Sequence, residues 1–276
     1  STAPAAAITG NWVEDHEHPF VGLVVFYDEA GEFSHRCSGS LLTSTVFLTA
    51  GHCTDGVQEA RVYFQQDAGA NFDPVTGVDP VSGYPETCAP GTLGTVCATS
   101  DELYNFGFAD FAGFPDTKDV GLVILDQPIT LGEYGVLAVA GSLDRLATRR
   151  GLQETTFTAS GYGLTEVNPV KVTSFRERLM AQAKLTNLGS ALTDGFNLQT
   201  NGNGKGRGGT CSGDSGGPVF SGGFESNVIV AVTSFGLNEW CRGTDFAYRT
   251  DQQQVIDWIA EVVGEAEFTE IQFAEV

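Results

Sequence analysis

Basic residues are scarce in this chain, which carries 14 lysines and arginines against 35 aspartates and glutamates in 276 residues. The resulting net charge of −21 would repel nucleic acids and anionic membrane surfaces, so we expect neither kind of partner. Two interpretations of this acidity stay open. One is a well-solvated surface, and the other is adaptation to saline surroundings, where salt screens the repulsion between like charges.

Long apolar runs are also lacking, since none approaches the roughly 18 residues of a membrane-spanning helix. No charged segment followed by an apolar one marks a signal peptide, which we therefore expect to be absent or already removed. The alanine-rich start of the chain, 1–7, is typical of a flexible leader or of the remnant of a pro-segment.

Cofactor motifs are missing as well, because the sequence has no phosphate-binding loop, dinucleotide fingerprint or Cys-x-x-Cys pair. We expect no cofactor and no metal. His16 and His18 stand among carboxylates, but alternate residues of a loop seldom converge on a metal, so we interpret them as part of a solvated turn. The even number of six cysteines predicts three disulfides and an oxidising compartment, and it leaves their pairing open.

Short strands separated by glycine-rich turns dominate what is present, and they predict an all-β fold. We predict strands at 20–27, 37–42, 46–50, 59–65, 155–163, 177–185, 218–220, 228–233 and 244–249. The segment 67–116 has little periodicity and is interpreted as long ordered loops. A helix is predicted near the end of the chain, where Val255, Ile256 and Ile259 recur at helical spacing and Gly264 could end it.

Three short motifs carry candidate catalytic groups. Gly-Asp-Ser-Gly-Gly-Pro at 213–218 can hold Ser215 exposed, because the glycines beside it allow unusual backbone angles and the close approach of a substrate. Thr-Ala-Gly-His-Cys at 49–53 supplies His52, and Asp119 precedes an apolar run. A serine hydroxyl needs a base to act as a nucleophile, and the base needs a partner that fixes its tautomer. We predict Ser215 as nucleophile, His52 as base and then acid, and Asp119 as the orienting carboxylate.

These motifs, in the chain order His, Asp, Ser, resemble those of the chymotrypsin-like (trypsin-fold) serine proteases. The resemblance extends from about residue 8 to about residue 259. It suggests a secreted, extracellular enzyme of a bacterial branch that hydrolyses peptide bonds through an acyl-enzyme. It also implies two six-stranded antiparallel β-barrels, with the C-terminal helix packed on the second barrel.

The resemblance divides the chain into domains. We expect the first barrel at 8–130, with His52 and Asp119, and an insertion at about 67–116, because the spacing between these two residues is long. The second barrel and the helix would occupy 131–264 and carry Ser215, and an acidic tail would follow at 265–276. We expect a monomer that acts on proteins or peptides.

Further roles follow from the family. The backbone N–H groups of Gly213 and Ser215 would form the oxyanion hole. The bridges Cys37–Cys53 and Cys211–Cys241 match those of the family, which leaves Cys88 and Cys97 to close a loop within the insertion. Some members bind calcium in this region, so a structural calcium ion is an alternative to a metal-free protein, with the candidate carboxylates Asp67, Asp73 and Asp79.

Asp214 precedes the nucleophile and resembles the carboxylate that, in this family, binds the amino terminus released by activation. The matching residue here is Ile8, which follows seven other residues. His35 resembles the histidine that pairs with this aspartate in the inactive precursors. We therefore predict a contact between Asp214 and His35 for a chain that keeps residues 1–7, with an ordinary strand position for His35 as the alternative.

Specificity is predicted from the residues that align with the family's substrate pocket, which are Gly209, Thr210, Ser234, Phe235, Gly236 and Phe246. The aligned base position is Gly209, where an aspartate would select Lys or Arg. A ring at Phe246 would shorten the pocket, so we favour small or medium apolar side chains before the scissile bond. A shift of one residue would instead bring Asp245 to the base and favour basic side chains.

Two other classes of function compete with the endopeptidase. A non-catalytic binding protein on the same fold is disfavoured because no member of the triad is missing. An esterase or processing enzyme with a narrow substrate is compatible with the ambiguity of the pocket.

Overall fold

The computed structural model describes residues 8–68, 78–79, 83–85, 87–147, 154–173 and 176–276. The strands of the first half are β1 (Thr9–Gly10), β2 (Val13–Glu14), β3 (Val21–Tyr27), β4 (Phe33–Leu41), β5 (Val46–Thr49), β6 (Glu59–Tyr63), β7 (Cys97–Ser100), β8 (Glu102–Asn105) and β9 (Gly121–Ile124).

The strands of the second half are β10 (Val136–Ala138), β11 (Thr156–Gly161), β12 (Glu166–Asn168), β13 (Lys171–Thr173), β14 (Leu179–Asn187), β15 (Asn197–Asn201), β16 (Gly208–Gly209), β17 (Pro218–Ser221), β18 (Val228–Gly236), β19 (Thr244–Arg249) and β20 (Phe273–Ala274). The helices are α1 (Gly51–Thr54), α2 (Gln253–Val263) and α3 (Glu265–Phe268), with a 3-10 turn at Asp144–Leu146. No helix in these ranges is long and apolar enough to cross a membrane.

The first sheet has seven strands in the order β7-β6-β3-β4-β5-β9-β8, and all its pairings are antiparallel. Its third strand is β3, an apolar run in which every residue is buried. The sheet curls into a nearly closed barrel. Because β5 pairs with β9 through Thr49 and Gly121, the residues next to these ends of the two strands are brought together.

The second sheet closes on itself. The strands β17, β11, β14, β15, β19 and β18 follow one another, and β17 pairs again with β18. This closed six-stranded barrel and the nearly closed first barrel confirm the predicted all-β fold. The predicted C-terminal helix is also confirmed: α2 buries Val255, Ile256 and Ile259 and ends at Gly264, whose positive φ of 81° suits glycine.

Both ends of the described chain are attached to the second barrel. Near the start, β1 pairs with β16 and β2 pairs with β14. Near the end, β20 pairs in parallel with β10, and Ile271 is buried. The acidic segment 265–276 is therefore folded onto the protein through its alternating apolar residues.

All three predicted disulfides are formed. Cys37–Cys53 and Cys211–Cys241 are the two that match the family pattern, and Cys88–Cys97 is the pair that remained. The interpretation of 67–116 as loops alone was wrong, because β7 and β8 extend the first sheet at its two ends. Each of these strands has only four residues, which is too short for its alternation to be recognised in the sequence.

Candidate active site

His52 and Asp119 are brought together by the paired strands β5 and β9. His52 lies in α1, one turn of helix after β5, and Asp119 lies just before β9. The Nδ1 atom of His52 is 2.8 Å from Oδ2 of Asp119, and the His52 backbone N–H donates to Oδ1 at 2.7 Å. Because the carboxylate accepts from Nδ1, the other ring nitrogen, Nε2, is left able to accept a proton.

Asp119 is completely buried, whereas the His52 side chain is 26% exposed. The hydroxyl of Ser234 also donates to Oδ2 of Asp119, at 2.5 Å. Three donors from two barrels therefore converge on this carboxylate, since Ser234 belongs to β18. These hydrogen bonds fix the orientation of the buried carboxylate relative to the His52 ring.

Ser215 lies in a tight loop between the barrels, just before β17. Its carbonyl accepts from the Ser38 backbone N–H at 2.8 Å, and the Ser38 hydroxyl donates to the Gly213 carbonyl at 2.8 Å. Gly216 has a φ of 78°, and a Cβ there would lie 2.6 Å from the backbone N of Ala50. Only glycine therefore lets the serine loop pack this closely against the first barrel.

Ser215 borders a pocket, and His52 is the base that the predicted triad assigns to it. Among the hydrogen bonds of the described residues, none joins Ser215 Oγ to His52 Nε2. Bonds of this kind often tighten only when a substrate is bound, so the free geometry is compatible with proton transfer.

Asp214 is completely buried and lies beside the predicted oxyanion hole. Its Oδ1 accepts from the Gly163 N–H at 2.8 Å, and its Oδ2 accepts from the Cys211 N–H at 2.9 Å. Burial raises the pKa of this carboxyl group to about 7, although the two backbone hydrogen bonds and the nearby Arg36 guanidinium act in the opposite direction.

The predicted contact between Asp214 and His35 is not formed. The Nε2 atom of His35 is 2.7 Å from the Cys53 carbonyl oxygen, and Nδ1 is 2.9 Å from Oγ of Ser34. The ring packs against Phe26, its neighbour across β3 and β4, with 5.1 Å between ring centroids. These local partners hold the histidine on the first barrel, which agrees with the alternative of an ordinary strand residue.

Ile8, the other predicted partner of Asp214, is buried against Leu179 and Ala181 of β14. Its nitrogen is part of a peptide bond to Ala7. Residues 1–7 lie outside the described residues. The backbone of Ile8 has a φ of 54°, a left-handed conformation that is unfavourable for a β-branched residue.

A cavity of about 420 Å³ opens beside Ser215, and its lining includes Thr210, Ser234, Phe235 and Gly236 from the predicted set. Asp245 lines it as well. Gly209 lies behind this wall, where a Cβ would be 2.6 Å from Oδ2 of Asp245.

The expectation that Phe246 shortens this pocket was wrong. Its ring stacks on the ring of Phe235 at 4.6 Å, is buried, and is not part of the lining. Because side chains alternate along a strand, the neighbour Asp245 faces the pocket when Phe246 faces the core.

Asp245 is only 8% exposed at the wall of this pocket. Its Oδ2 accepts from the Thr210 N–H at 2.8 Å. Burial raises the pKa of the Asp245 carboxyl group to about 6, and the hydrogen bonds from Thr210 act against this shift. With a pKa of about 6, the carboxylate is mostly charged at neutral pH.

A row of aromatic rings, missed by the sequence analysis, connects His52 to this pocket. The centroid of Phe108 is 5.8 Å from that of His52, and Phe111 packs edge-on against Phe108 and Phe235. Phe111 and Phe114 are 39% and 41% exposed. The three phenylalanines at intervals of three residues were the available signal, and they form a partly exposed apolar surface between His52 and the pocket.

The described residues include one cluster of potential metal ligands. Among the described residues, the one group of three possible ligands is Cys37, Cys53 and His52, and the two cysteines are joined in a disulfide. Asp73 of the proposed calcium set lies outside the described residues, while Asp67 and Asp79 are described.

The interpretation of His16 and His18 as a solvated turn holds for His16, which is exposed, and was wrong for His18. The His18 ring is 1% exposed, with Nδ1 at 2.9 Å from both oxygens of Asp15. It stacks on Phe220, so burial against the second barrel determines its position.

Comparisons with known proteins agree with this geometry. A family model described as Trypsin matches residues 7–259. Brachyurin of Leptuca pugilator is 27% identical over 233 residues, which cover 83% of this chain and 88% of brachyurin. Serine protease 7 of Drosophila melanogaster is 27% identical over 270 residues, which cover 92% of this chain and 64% of that relative. Trypsin zeta of Drosophila erecta is 25% identical over 59% of this chain, which spans 50% of that relative's length.

These relatives are animal proteins, and the expectation of a bacterial branch has no support among them. Among solved structures, HL collagenase has a TM-score of 0.66 and 17% identity, with 94% of this chain and 99% of that chain covered. An inactivated protease paralogue of the scabies mite has a TM-score of 0.64 and 15% identity, with 93% and 97% covered. The Trypsin family model matches most of this chain, and the two barrels agree with the fold of the similar solved structures. The chain therefore belongs to the trypsin family of serine proteases.

Proposed function

We propose that the protein is a secreted serine endopeptidase that cleaves peptide bonds through an acyl-enzyme. The single observation that carries this proposal is the buried Asp119 carboxylate bonded to His52 Nδ1, beside a pocket bordered by Ser215. Ser215 Oγ attacks the substrate carbonyl carbon while His52 Nε2 takes its proton. His52 then protonates the leaving amine, and water releases the acyl group by the same steps in reverse.

The oxyanion that forms on the carbonyl would be stabilised by the backbone N–H groups of Gly213 and Ser215. Gly213 has a φ of 97°, so it needs the conformational freedom of glycine to hold this loop. We expect a monomer that needs no cofactor. The three disulfides favour an oxidising, extracellular location.

The proposal is tested by incubating the purified chain, and the chain cut before Ile8, with an unfolded protein and with simple esters. Cleavage of internal peptide bonds supports an endopeptidase. Ester hydrolysis alone supports the narrow esterase. A folded protein that cleaves neither substrate supports the non-catalytic class, which the inactivated paralogue of the scabies mite makes a real alternative on this fold.

We further propose that the pocket accepts Lys or Arg before the scissile bond, because the Asp245 carboxylate offers a buried negative charge at its wall. Asp245→Asn keeps an oxygen for the Thr210 N–H and removes only the charge. We expect the kcat/KM ratio of an Arg substrate to a Leu substrate to fall about 30-fold or more in this variant. The matched control is Glu239→Gln, which removes an exposed carboxylate from the rim of the same pocket and should change the ratio little.

The same ratio should depend on pH in the unmodified protein. The pKa of Asp245 is raised to about 6, so protonation below that pH removes the charge that binds a basic side chain. We expect the Arg preference to decline as the pH falls through about 6, and taking a ratio cancels the effects of pH on catalysis that both substrates share. An unchanged ratio in Asp245→Asn, or an apolar preference in the unmodified protein, would contradict this assignment.

We also propose that a cut between Ala7 and Ile8 increases activity. Within the described part of the chain, the hydrogen-bond donors to Asp214 are backbone N–H groups, and the nearby Arg36 guanidinium donates to Tyr84 and Tyr162 instead. An ammonium at Ile8 would supply the buried carboxylate with a charged donor. The cut would also relieve the left-handed backbone of Ile8. The measurement compares kcat for a chain that begins at Ile8 with kcat for the chain from Ser1 and for a form acetylated at Ile8. Equal activity of all three would refute the proposal.

A further inference from the structure

A second pocket, of about 380 Å³, lies beside the substrate pocket on the second barrel. Its walls come from 9–11, 202–209 and 240–243, with a contribution from 165–167. The side chain of Asn11 ties two of these walls together, donating to the carbonyls of Gly204 at 3.2 Å and Arg207 at 2.9 Å. The pocket is therefore built by interlocked segments rather than by one loose loop.

Two arginines in this pocket lack acidic partners. Arg207 and Arg242 both line it, and neither takes part in the ion pairs found across the described ranges. Lys205 is exposed in the same loop as Arg207. In a chain with 35 acidic residues and 14 basic ones, carboxylate partners are plentiful, so a cluster of unpaired cations is unusual.

The one acidic residue in the lining, Glu166, does not cancel this charge. Its carboxylate is 3.0 Å from Lys171 Nζ and accepts from the Asn168 amide at 2.9 Å. Its two oxygens are thus occupied within the hairpin of β12 and β13. The charge left over in the pocket comes from the two guanidinium groups.

The remaining lining suits a small anion. Gly204 and Gly243 line the pocket without side chains, and the guanidinium carbon of Arg207 lies 3.7 Å from where a Cβ of Gly204 would be. Guanidinium groups present paired donors that match the oxygens of sulfate and phosphate. We propose that this pocket binds a small dianionic oxyanion, such as sulfate or phosphate, between Arg207 and Arg242.

Binding here would be felt in the substrate pocket, because Cys241 and Arg242 line both cavities. The Cys241 carbonyl accepts from the Thr9 hydroxyl at 2.9 Å, and its sulfur is bonded to Cys211 of the substrate pocket. An anion that fixes Arg242 also offsets its positive charge, which would otherwise oppose a basic substrate side chain. We expect a lower KM for Arg substrates, and this consequence alone rests on the proposed function.

The test is calorimetric titration of the full chain with sodium sulfate at constant ionic strength maintained with sodium chloride. This design separates site binding from general screening. A melting temperature alone would not suffice, because sulfate stabilises most proteins by exclusion from their surfaces. We expect saturable binding to the unmodified chain. In the double variant Arg207→Gln and Arg242→Gln, the affinity for sulfate should be at least about tenfold lower, or binding should be too weak to detect.

The control for the loss of one charge is Arg145→Gln, which removes the same charge as Arg242→Gln from an exposed site in the 3-10 turn and should bind sulfate as the unmodified chain does. Arg242→Gln alone, at an exposed position, gives a second variant that keeps the fold and should also bind more weakly. Absence of saturable binding to the unmodified chain, or equal affinity in all variants, would overturn the proposal. Neither result depends on whether the protein cleaves peptides.

Discussion

Replacing Ser215 with alanine is expected to lower kcat for peptide hydrolysis on the order of a millionfold, because no other group can form the acyl-enzyme. The described hydrogen bonds do not use the Ser215 hydroxyl, so the variant should fold and melt as the unmodified protein does. The measurement is single-turnover hydrolysis of a chromogenic substrate by the more active of the two forms, with or without residues 1–7.

The matched control for this loss is Ser212→Ala. Ser212 is exposed and lines the same pocket, so its substitution removes a hydroxyl without touching the proposed chemistry. We expect a small change in kcat for this variant. Full activity in Ser215→Ala would refute the assignment of the nucleophile and, with it, the mechanism.

Replacing Asp119 with asparagine is expected to reduce kcat about ten-thousandfold. The Asp119 carboxylate accepts three hydrogen bonds, two from His52 and one from Ser234. An asparagine has only one oxygen, so its NH₂ group must face one of these donors. When it faces Nδ1 of His52, the ring proton moves to Nε2, and the ring can no longer accept the proton of Ser215.

The control for this variant is Asp126→Asn, which makes the same chemical change at an exposed carboxylate bonded to Thr99. We expect activity close to that of the unmodified protein. The comparison is made by kcat at saturating substrate, together with circular dichroism to establish that both variants are folded. Equal activities of the two variants would show that the Asp119 carboxylate is dispensable.

The all-β fold and the candidate catalytic residues could be predicted from the sequence because their requirements are local, whereas the two barrels were implied by the family resemblance. Strand periodicity follows from burial, and a nucleophilic serine needs a base and an orienting carboxylate whatever surrounds them. The positions of His52 and Asp119 then follow from the pairing of Thr49 with Gly121, which depends on two clear strands.

The pocket could not be predicted in the same way, because it depends on register. The pairing of β18 with β19 shifts between Thr233 and Phe235, and an irregularity of one residue reverses which side chains face the pocket. This shift brings Asp245 to the wall and Phe246 to the core. The hydrogen-bond partner of His35 could not be predicted either. It is the backbone carbonyl of Cys53, and backbone groups leave no signature in the sequence.

The central claim is that Ser215 is a nucleophile activated by His52. It is tested most directly by exposing the folded protein, with and without residues 1–7, to an organophosphorus fluoridate and locating the adduct by mass spectrometry. We predict one adduct per chain, on Ser215, and none in His52→Ala. An adduct on another serine, or a folded protein that cleaves peptides yet never reacts, would contradict the claim.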